Sequence, residues 1–397
     1  MTPAVVPSMH VIGIDLGRSR HALSHWYNGE RVRDWIIQFT AESITECASG
    51  LLELGDVTIL AEDANDVLVS HCHSLGIKVF TVHPYRLHHF RKYWIQSGHK
   101  DDVTDARLLV EAFLLDSKPF YPVRDMPPTV ARLRSLTTIS HKTAQDRTRH
   151  LLRLQQLLGN YYAQALKLDR PCTHRWFWDF LDAAPTPQIA QALTYEDLAA
   201  LTRGSTRPAR EIYEFLHAPS LPVSDALIAD HIVRVRYLVQ QIRSMSDYRL
   251  ESQREIKATI RHLPEPVARD YEILCSFPGV GEKTGPLIFS HGYWPIADRN
   301  FPAFCSLAGI VPVTKQSGKS TFHQLRTSCN HYLRDACYHS SKLSCQHYPE
   351  WKEKYDELQS RGHKSARALR TLSVQQFRRF FGMLRNGSTY DKSLIRS

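Results

Sequence analysis

Four acidic residues stand where a metal-assisted reaction at phosphorus would need them. Asp15 closes a short apolar run at 10–16, Glu62 follows a second at 57–61, and Asp102 and Asp105 lie in Lys100-Asp101-Asp102-Val103-Thr104-Asp105-Ala106-Arg107. A three-residue offset places the last two carboxylates on one face of a helix. Acids from the ends of neighbouring strands and from one helix can converge on two Mg²⁺ ions, with Mn²⁺ able to replace them; such ions position in-line attack and stabilise both the entering and the leaving oxygen. Any one of these acids, taken singly, is more often a solvated cap. Their order along the chain carries the reading, and Asp63, Asp66 and Asp101 are neighbours that spacing does not exclude.

The elements that must position these acids can be read from periodicity. Residues 10–16 read as a buried strand, 22–27 and 32–39 as two more with Asn28-Gly29 as their turn, 41–54 as helix, 57–61 as strand, 66–75 as helix and 78–82 as strand, with helical pattern continuing to Leu115. Three hairpin strands followed by alternating helix and strand predict a ribonuclease-H-like α/β domain with a mixed sheet. Beyond it, Leu133, Leu136, Ile139, Leu151, Leu154, Leu157 and Leu158 recur at helical spacing within 128–158, and a similar pattern fills 225–260. Two long amphipathic helices of this kind can pair as an antiparallel or an intermolecular coiled coil. The Pro- and aromatic-rich stretch 171–222 between them receives no role. From residue 264 onward short helices are expected, ending in a basic helix over 350–385. The predicted division is therefore 1–125, an α/β catalytic domain; 126–265, a helical coiled-coil and linker region; and 266–397, a mainly helical domain.

Charge follows the same division. The 397 residues hold 50 Lys and Arg against 40 Asp and Glu, a net +10, yet residues 1–125 carry 12 basic and 16 acidic side chains and residues 266–397 carry 19 and 10. A basic C-terminal third suits a polyanion directly, whereas an acidic cluster approaches phosphate only through cations. Nucleic acid is the expected partner. No apolar run nears the roughly 20 residues of a membrane span, and the first ten residues lack a signal-peptide pattern, so a soluble, cytosolic protein is expected, with no membrane partner. The eight cysteines form no Cys-x-x-Cys pair, and Cys329-x-His331, Cys337-x-His339 and Cys345-x-His347 match no familiar zinc spacing, so reduced thiols are expected.

Two further motifs lie in the last third. Phe277-Pro278-Gly279-Val280-Gly281, followed by Lys283-Thr284, has the form of a helix-hairpin-helix element, in which Gly279 and Gly281 let backbone approach phosphate and Lys283 adds charge. Leu307-Ala308-Gly309-Ile310-Val311-Pro312 leads into Lys315-Gln316-Ser317-Gly318-Lys319-Ser320, a Lys-flanked loop whose serine could attack phosphorus, although most serines in such loops only bond to backbone or phosphate. Lys315, Lys319, Arg326 and Arg334 are candidates for backbone-phosphate contacts.

Taken together, Gly13-Ile14-Asp15-Leu16-Gly17, Ala61-Glu62, Asp102 and Asp105, Pro278-Gly279-Val280-Gly281, Ala308-Gly309-Ile310-Val311-Pro312, Gln316-Ser317-Gly318 and Asn330-His331-Tyr332-Leu333-Arg334 resemble the insertion-sequence transposases of the one-hundred-and-ten family, the DEDD transposases described as bridge-RNA-guided recombinases. The resemblance covers most of the chain. It implies a RuvC-like first domain whose Asp15, Glu62, Asp102 and Asp105 bind metal, and a C-terminal transposase domain whose Ser317 forms a transient phosphoserine link to DNA. It further implies a homo-oligomer, dimer or tetramer, whose two halves meet across subunits, and a structured guide RNA that selects donor and target DNA. Cys329 stands where the family commonly has Gly, and a positive φ there would strain it. The competing expectations are a junction-resolvase-type nuclease that uses water, with Ser317 only a phosphate ligand, and a nucleic-acid-binding protein without catalysis.

Overall fold

The computed structural model describes residues 9–94, 101–219, 224–317 and 320–391. The chain divides into two compact units, Met1–Asp125 and Met126–Ser397.

The first unit is a six-stranded mixed sheet. β1 (His10–Leu16), β2 (Arg20–Tyr27) and β3 (Glu30–Gln38) form an antiparallel meander, β4 (Val57–Ala61) and β5 (Lys78–Val82) add in parallel beyond β1, and β6 (Phe120–Pro122) closes the edge antiparallel to β5, giving the order β3-β2-β1-β4-β5-β6. The turn between β2 and β3 uses Asn28 at φ 51° and Gly29 at φ 85°, the paired positive φ that matches strand twist. Strand alternation sends Ile12, Ile14 and Ile59 to one face, under α1 (Ala41–Glu53) and α2 (Val67–Ser74), and Val11 and Leu60 to the other, under α3 (Pro84–Trp94) and α4 (Asp102–Leu115). The sequence reading had no counterpart for β6. Three residues ending in proline carry too little periodicity to register, and Phe120 is held there by its edge-on contact with Phe113, ring centroids 5.2 Å apart.

Among its described residues the second unit is helical apart from one hairpin. α5 (Pro128–Tyr161) and α11 (Asp225–Arg261) lie antiparallel, with Arg132 facing Glu255 at 3.7 Å and the Arg147 Nε donating to the Ser246 Oγ at 2.7 Å. The stretch given no role in the sequence packs over one end of this pair. Phe177, Trp178, Phe180 and Leu181 of α7 (Arg175–Ala183) share a core with Leu151, Leu154 and Leu158 of α5 and Val235, Val239 and Ile242 of α11. The short helices α6 (Ala163–Leu168), α8 (Pro187–Ala192), α9 (Tyr195–Leu201) and α10 (Ala209–His217) complete that end.

At the other end, α12 (Val267–Ser276), α13 (Thr284–His291), α14 (Tyr293–Ala297), α15 (Phe301–Ala308), α16 (His331–His347), α17 (Pro349–Ser360) and α18 (Ser365–Asn386) enclose a second core with Phe289, Phe304, Leu333, Trp351 and Phe380 at its centre. Two expectations are corrected here. The single basic helix over 350–385 is two helices, α17 and α18, because Gly362 takes φ 83° and ends the first. The serine loop is a two-stranded hairpin, β7 (Val313–Ser317) with β8 (Ser320–Gln324), whose register pairs Val313 with Gln324 and Ser317 with Ser320. Among the described residues no helix is long and apolar enough to cross a membrane.

Candidate active site

The carboxylates of the first unit are gathered by one close packing. Alternation along β1 sends Val11, Gly13 and Asp15 to the α4 face. A Cβ on Gly13 would lie 2.0 Å from the Ala106 carbonyl oxygen, so the missing side chain lets the first turns of α4 lie directly on β1. Asp102 and Asp105 on those turns come over the C-terminal end of β1. Ile14 pairs with Ala61 in the parallel register, which places Glu62 beside Asp15 at the carboxyl ends of two adjacent strands.

Their mutual proximity shows in the electrostatics. The Asp15 carboxyl is pushed up to about 6, first by burial and then by the negative charges of Asp105, Asp102 and Glu62, with Arg91 acting in the opposite direction. Asp105 is only 3% exposed, its Oδ2 lies 2.5 Å from the Arg91 guanidinium, and its Oδ1 is buried without a hydrogen-bond partner. The Arg20 Nη2 donates to the Asp102 Oδ2 at 3.1 Å. With two acids resting on arginines, no three His, Cys, Asp or Glu side chains among the described residues surround a common point. The unmet Oδ1 of Asp105 and the raised Asp15 nevertheless fit a cation, and an all-carboxylate donor set suits Mg²⁺ or Mn²⁺.

The neighbouring acids left open by spacing have other tasks. Asp101 caps α4, its Oδ1 accepting from the Thr104 amide at 3.0 Å, and Asp66 caps α2 through the Leu68 amide at 2.9 Å. Asp63 accepts from the Asn65 amide at 2.9 Å and from its side chain at 2.7 Å. The arginine counter-ions Arg20 and Arg91 had no signal in the sequence, being 82 and 14 residues from their partners.

In the second unit Ser317 ends β7, paired with Ser320 across the hairpin, and Lys315 pairs with Phe322. Lys319 lies outside the described residues. Both feet of this hairpin are tied to one constellation. Before β7, Gly309 takes φ 61°, and a Cβ there would lie 2.4 Å from the Arg334 guanidinium and 2.8 Å from the Cys329 Cβ. After β8, the Arg326 carbonyl accepts from Arg334, and the Asn330 amide donates to the Leu307 carbonyl at 2.7 Å. Arg334 is thus committed, at least in part, to holding the chain. Cys329 is not among the residues with positive φ, so the strain conditional on that conformation does not arise.

Asn330 does more than cap α16 through the Leu333 amide; its Nδ2 donates to the Nδ1 of buried His291 at 3.1 Å. The His291 Nε2 then carries the proton and faces the Thr138 hydroxyl at 3.2 Å, while the ring stacks on Tyr332, centroids 4.9 Å apart. Burial, followed by Arg134 and His141, pushes the His291 imidazole down to about 4. His141 itself lies 3.5 Å from Asp335.

The glycines of the 277–281 segment divide their roles. Gly279 takes φ 78° with its α-carbon against α16, where a Cβ would meet the Ser340 carbonyl at 2.2 Å, and the Ser344 hydroxyl donates to the Pro278 carbonyl at 2.7 Å. Gly281 and Lys283 are exposed, and the Gly281 amide donates to the Thr284 hydroxyl at 3.0 Å. Gly279 therefore serves packing, whereas Gly281 and Lys283 face solvent.

A mixed sheet with antiparallel strands first and parallel strands after, under helices on both faces, is consistent with an RNase-H-like domain. Two family models match: the DEDD transposase model of the IS110 group over residues 12–163, and the transposase model of the IS116/IS110/IS902 family over 271–356. The chain belongs to the IS110 family of transposases. Among similar proteins are "Putative transposase y4uE" of Sinorhizobium fredii, 25% identical over 48% of this chain and 55% of that protein, and "Mini-circle putative transposase for IS117" of Streptomyces coelicolor, 27% identical over 68% of each. "Insertion element IS110 uncharacterized 43.6 kDa protein", also of S. coelicolor, is 24% identical over 74% of this chain and 73% of its own length. The match thus spans about half of the first relative.

Proposed function

We propose that this chain is the recombinase of an insertion sequence, cutting and rejoining DNA through a phosphoserine link. The observation that supports the reading is the raised Asp15 carboxyl, which feels the charges of Asp105, Asp102 and Glu62 at one sheet end in a chain of this family. Bound there, divalent cations would neutralise the scissile phosphate and lower the cost of deprotonating an attacking hydroxyl. Asp15 and Glu62 are the fixed wall of that site, at the ends of β1 and β4, and Asp102 and Asp105 turn from Arg20 and Arg91 to complete it. Ser317 then attacks phosphorus. Its proton is lost, a serine–phosphate bond forms, and the deoxyribose oxygen leaves with a proton. The hydroxyl of the incoming strand attacks the same phosphorus, restores a phosphodiester and releases the serine. Phosphoester energy is retained throughout, so no nucleotide cofactor is required.

The finer parts of the proposal extend it by the resemblance to the family. A guide RNA selects donor and target DNA, α5 and α11 serve as a coiled-coil region for a homo-oligomer, and α12, the glycine turn and α13 act as a helix-hairpin-helix contact to phosphate, with Lys315, Lys319 and Arg326 as further backbone-phosphate contacts. The test incubates the protein with its element's RNA, end-labelled junction DNA and Mg²⁺, then denatures it in detergent. A protein–DNA adduct present in the wild type and lost in Ser317→Ala is the expected result. Cleavage without an adduct in either protein would turn the reading to a water-using nuclease.

A further inference from the structure

A cavity of about 620 Å³ opens between α16, α17 and α18. Its volume falls in the range of roughly 300–1,000 Å³ typical of small-molecule sites. Tyr338 of α16, Tyr348 at the joint and Tyr355 of α17 line it, together with Lys342 and Lys352. Tyr348 is 37% exposed, leaving ring surface open to a ligand. The Tyr355 hydroxyl donates to the Ser365 Oγ at 2.9 Å, which fixes that ring, and the Lys352 ammonium lies 5.6 Å from its centroid. Lys352 is engaged by Asp356, whereas Lys342 is exposed and has no ion pair recorded among the described residues.

Tyrosine faces beside an uncommitted ammonium are the chemistry that holds a base with its phosphate. Aromatic rings accept any base by stacking, and a lysine neutralises the backbone without reading sequence. The surrounding residues 266–397 carry 19 basic against 10 acidic side chains, which favours such a polyanion over an acidic-poor ligand. We propose that this cavity takes an unstacked nucleotide of a single-stranded segment, its base on the tyrosines and its phosphate on Lys342. An unpaired stretch of DNA during strand exchange and an unpaired loop of RNA present the same chemistry. The inference rests on the nucleic-acid reading above and deepens it with a subsite away from Ser317 in sequence.

The experiment uses the full chain carrying Asp102→Asn, to keep strands uncut, with fluorescent single-stranded DNA and RNA oligonucleotides of one sequence and a duplex control. Tyr348→Ala is expected to weaken single-strand binding about 5- to 100-fold with little change for duplex. Lys342→Gln should lower the salt slope by about 0.7. An oligonucleotide bearing 5-iodouracil should photo-crosslink to the peptide containing Tyr348, and the tighter of the DNA and RNA arms identifies the source. Unchanged affinity and slope in both variants, with crosslinks elsewhere, would overturn the subsite while leaving the recombinase reading in place. A parent protein that binds neither nucleic acid would overturn both.

Discussion

His291 shows how a single buried side chain couples pH to the segment that carries the serine. Neutral, it accepts the Asn330 side-chain bond that ties the chain after β8 to α13. Protonated, it would present a second donor to Asn330 and bring charge beside Arg134 and His141. Its folded value of about 4 lies below the ordinary 6.5, so its stabilisation is complete above pH 6.5 and is lost as pH falls toward 4. A shift of this size corresponds to about 3 kcal/mol. Urea unfolding between pH 7.5 and 4.5 should show the wild type losing stability more steeply than His291→Gln, and parallel slopes would remove His291 from the account. Sequence reasoning marked Asn330 to Arg334 as a motif but had no means to reach His291, 39 residues earlier, because the bond exists only once α13 and α16 are packed. The acids were more legible. Strand ends and an i, i+3 pair sufficed to name Asp15, Glu62, Asp102 and Asp105 as candidates, whereas the backbone amides met by Asp63, Asp66 and Asp101 are visible only in the fold.

Elements with strong periodicity were read almost to the residue. β4 and β5 have the bounds expected of them, and α5 and α11 extend the expected ranges by three residues and one at their C-terminal ends. Elements whose existence depends on a partner were not: β6 needs the edge of β5, and β7–β8 needs each other. The glycines illustrate the same limit, since Gly279 and Gly281 look alike in sequence and differ in what lies behind them. Replacing Gly13 with Ala would drive a methyl into the Ala106 carbonyl and separate α4 from β1, at a cost of about 2–4 kcal/mol. Gly281→Ala meets nothing within 4 Å and should change stability by less than about 1 kcal/mol. Denaturant titration of the two variants checks this, and a Gly13→Ala protein as stable as wild type would show that α4 does not need the close approach.

For the whole molecule the question is how a chain of net charge +10, proposed above to act on DNA, accommodates its most acidic segment. Residues 1–125 hold four more acidic than basic side chains, and the charges of Asp105, Asp102 and Glu62 all act on Asp15. Without divalent cations this cluster should repel the strand that the basic remainder attracts, so chelation opposes binding as well as cleavage. Asp102→Asn removes one negative charge from the cluster. In EDTA it should therefore bind junction DNA about two- to fivefold more tightly than the wild type, the scale of one screened charge near phosphate. In Mg²⁺ the two proteins should converge in affinity, while only the wild type cleaves. Fluorescence anisotropy at fixed ionic strength measures the first comparison, and gel analysis of the same samples the second. A variant that still cleaves would take Asp102 out of the site. A variant no tighter than wild type in EDTA would mean that the phosphate does not approach the acids, and the cluster would lose its place in the reaction.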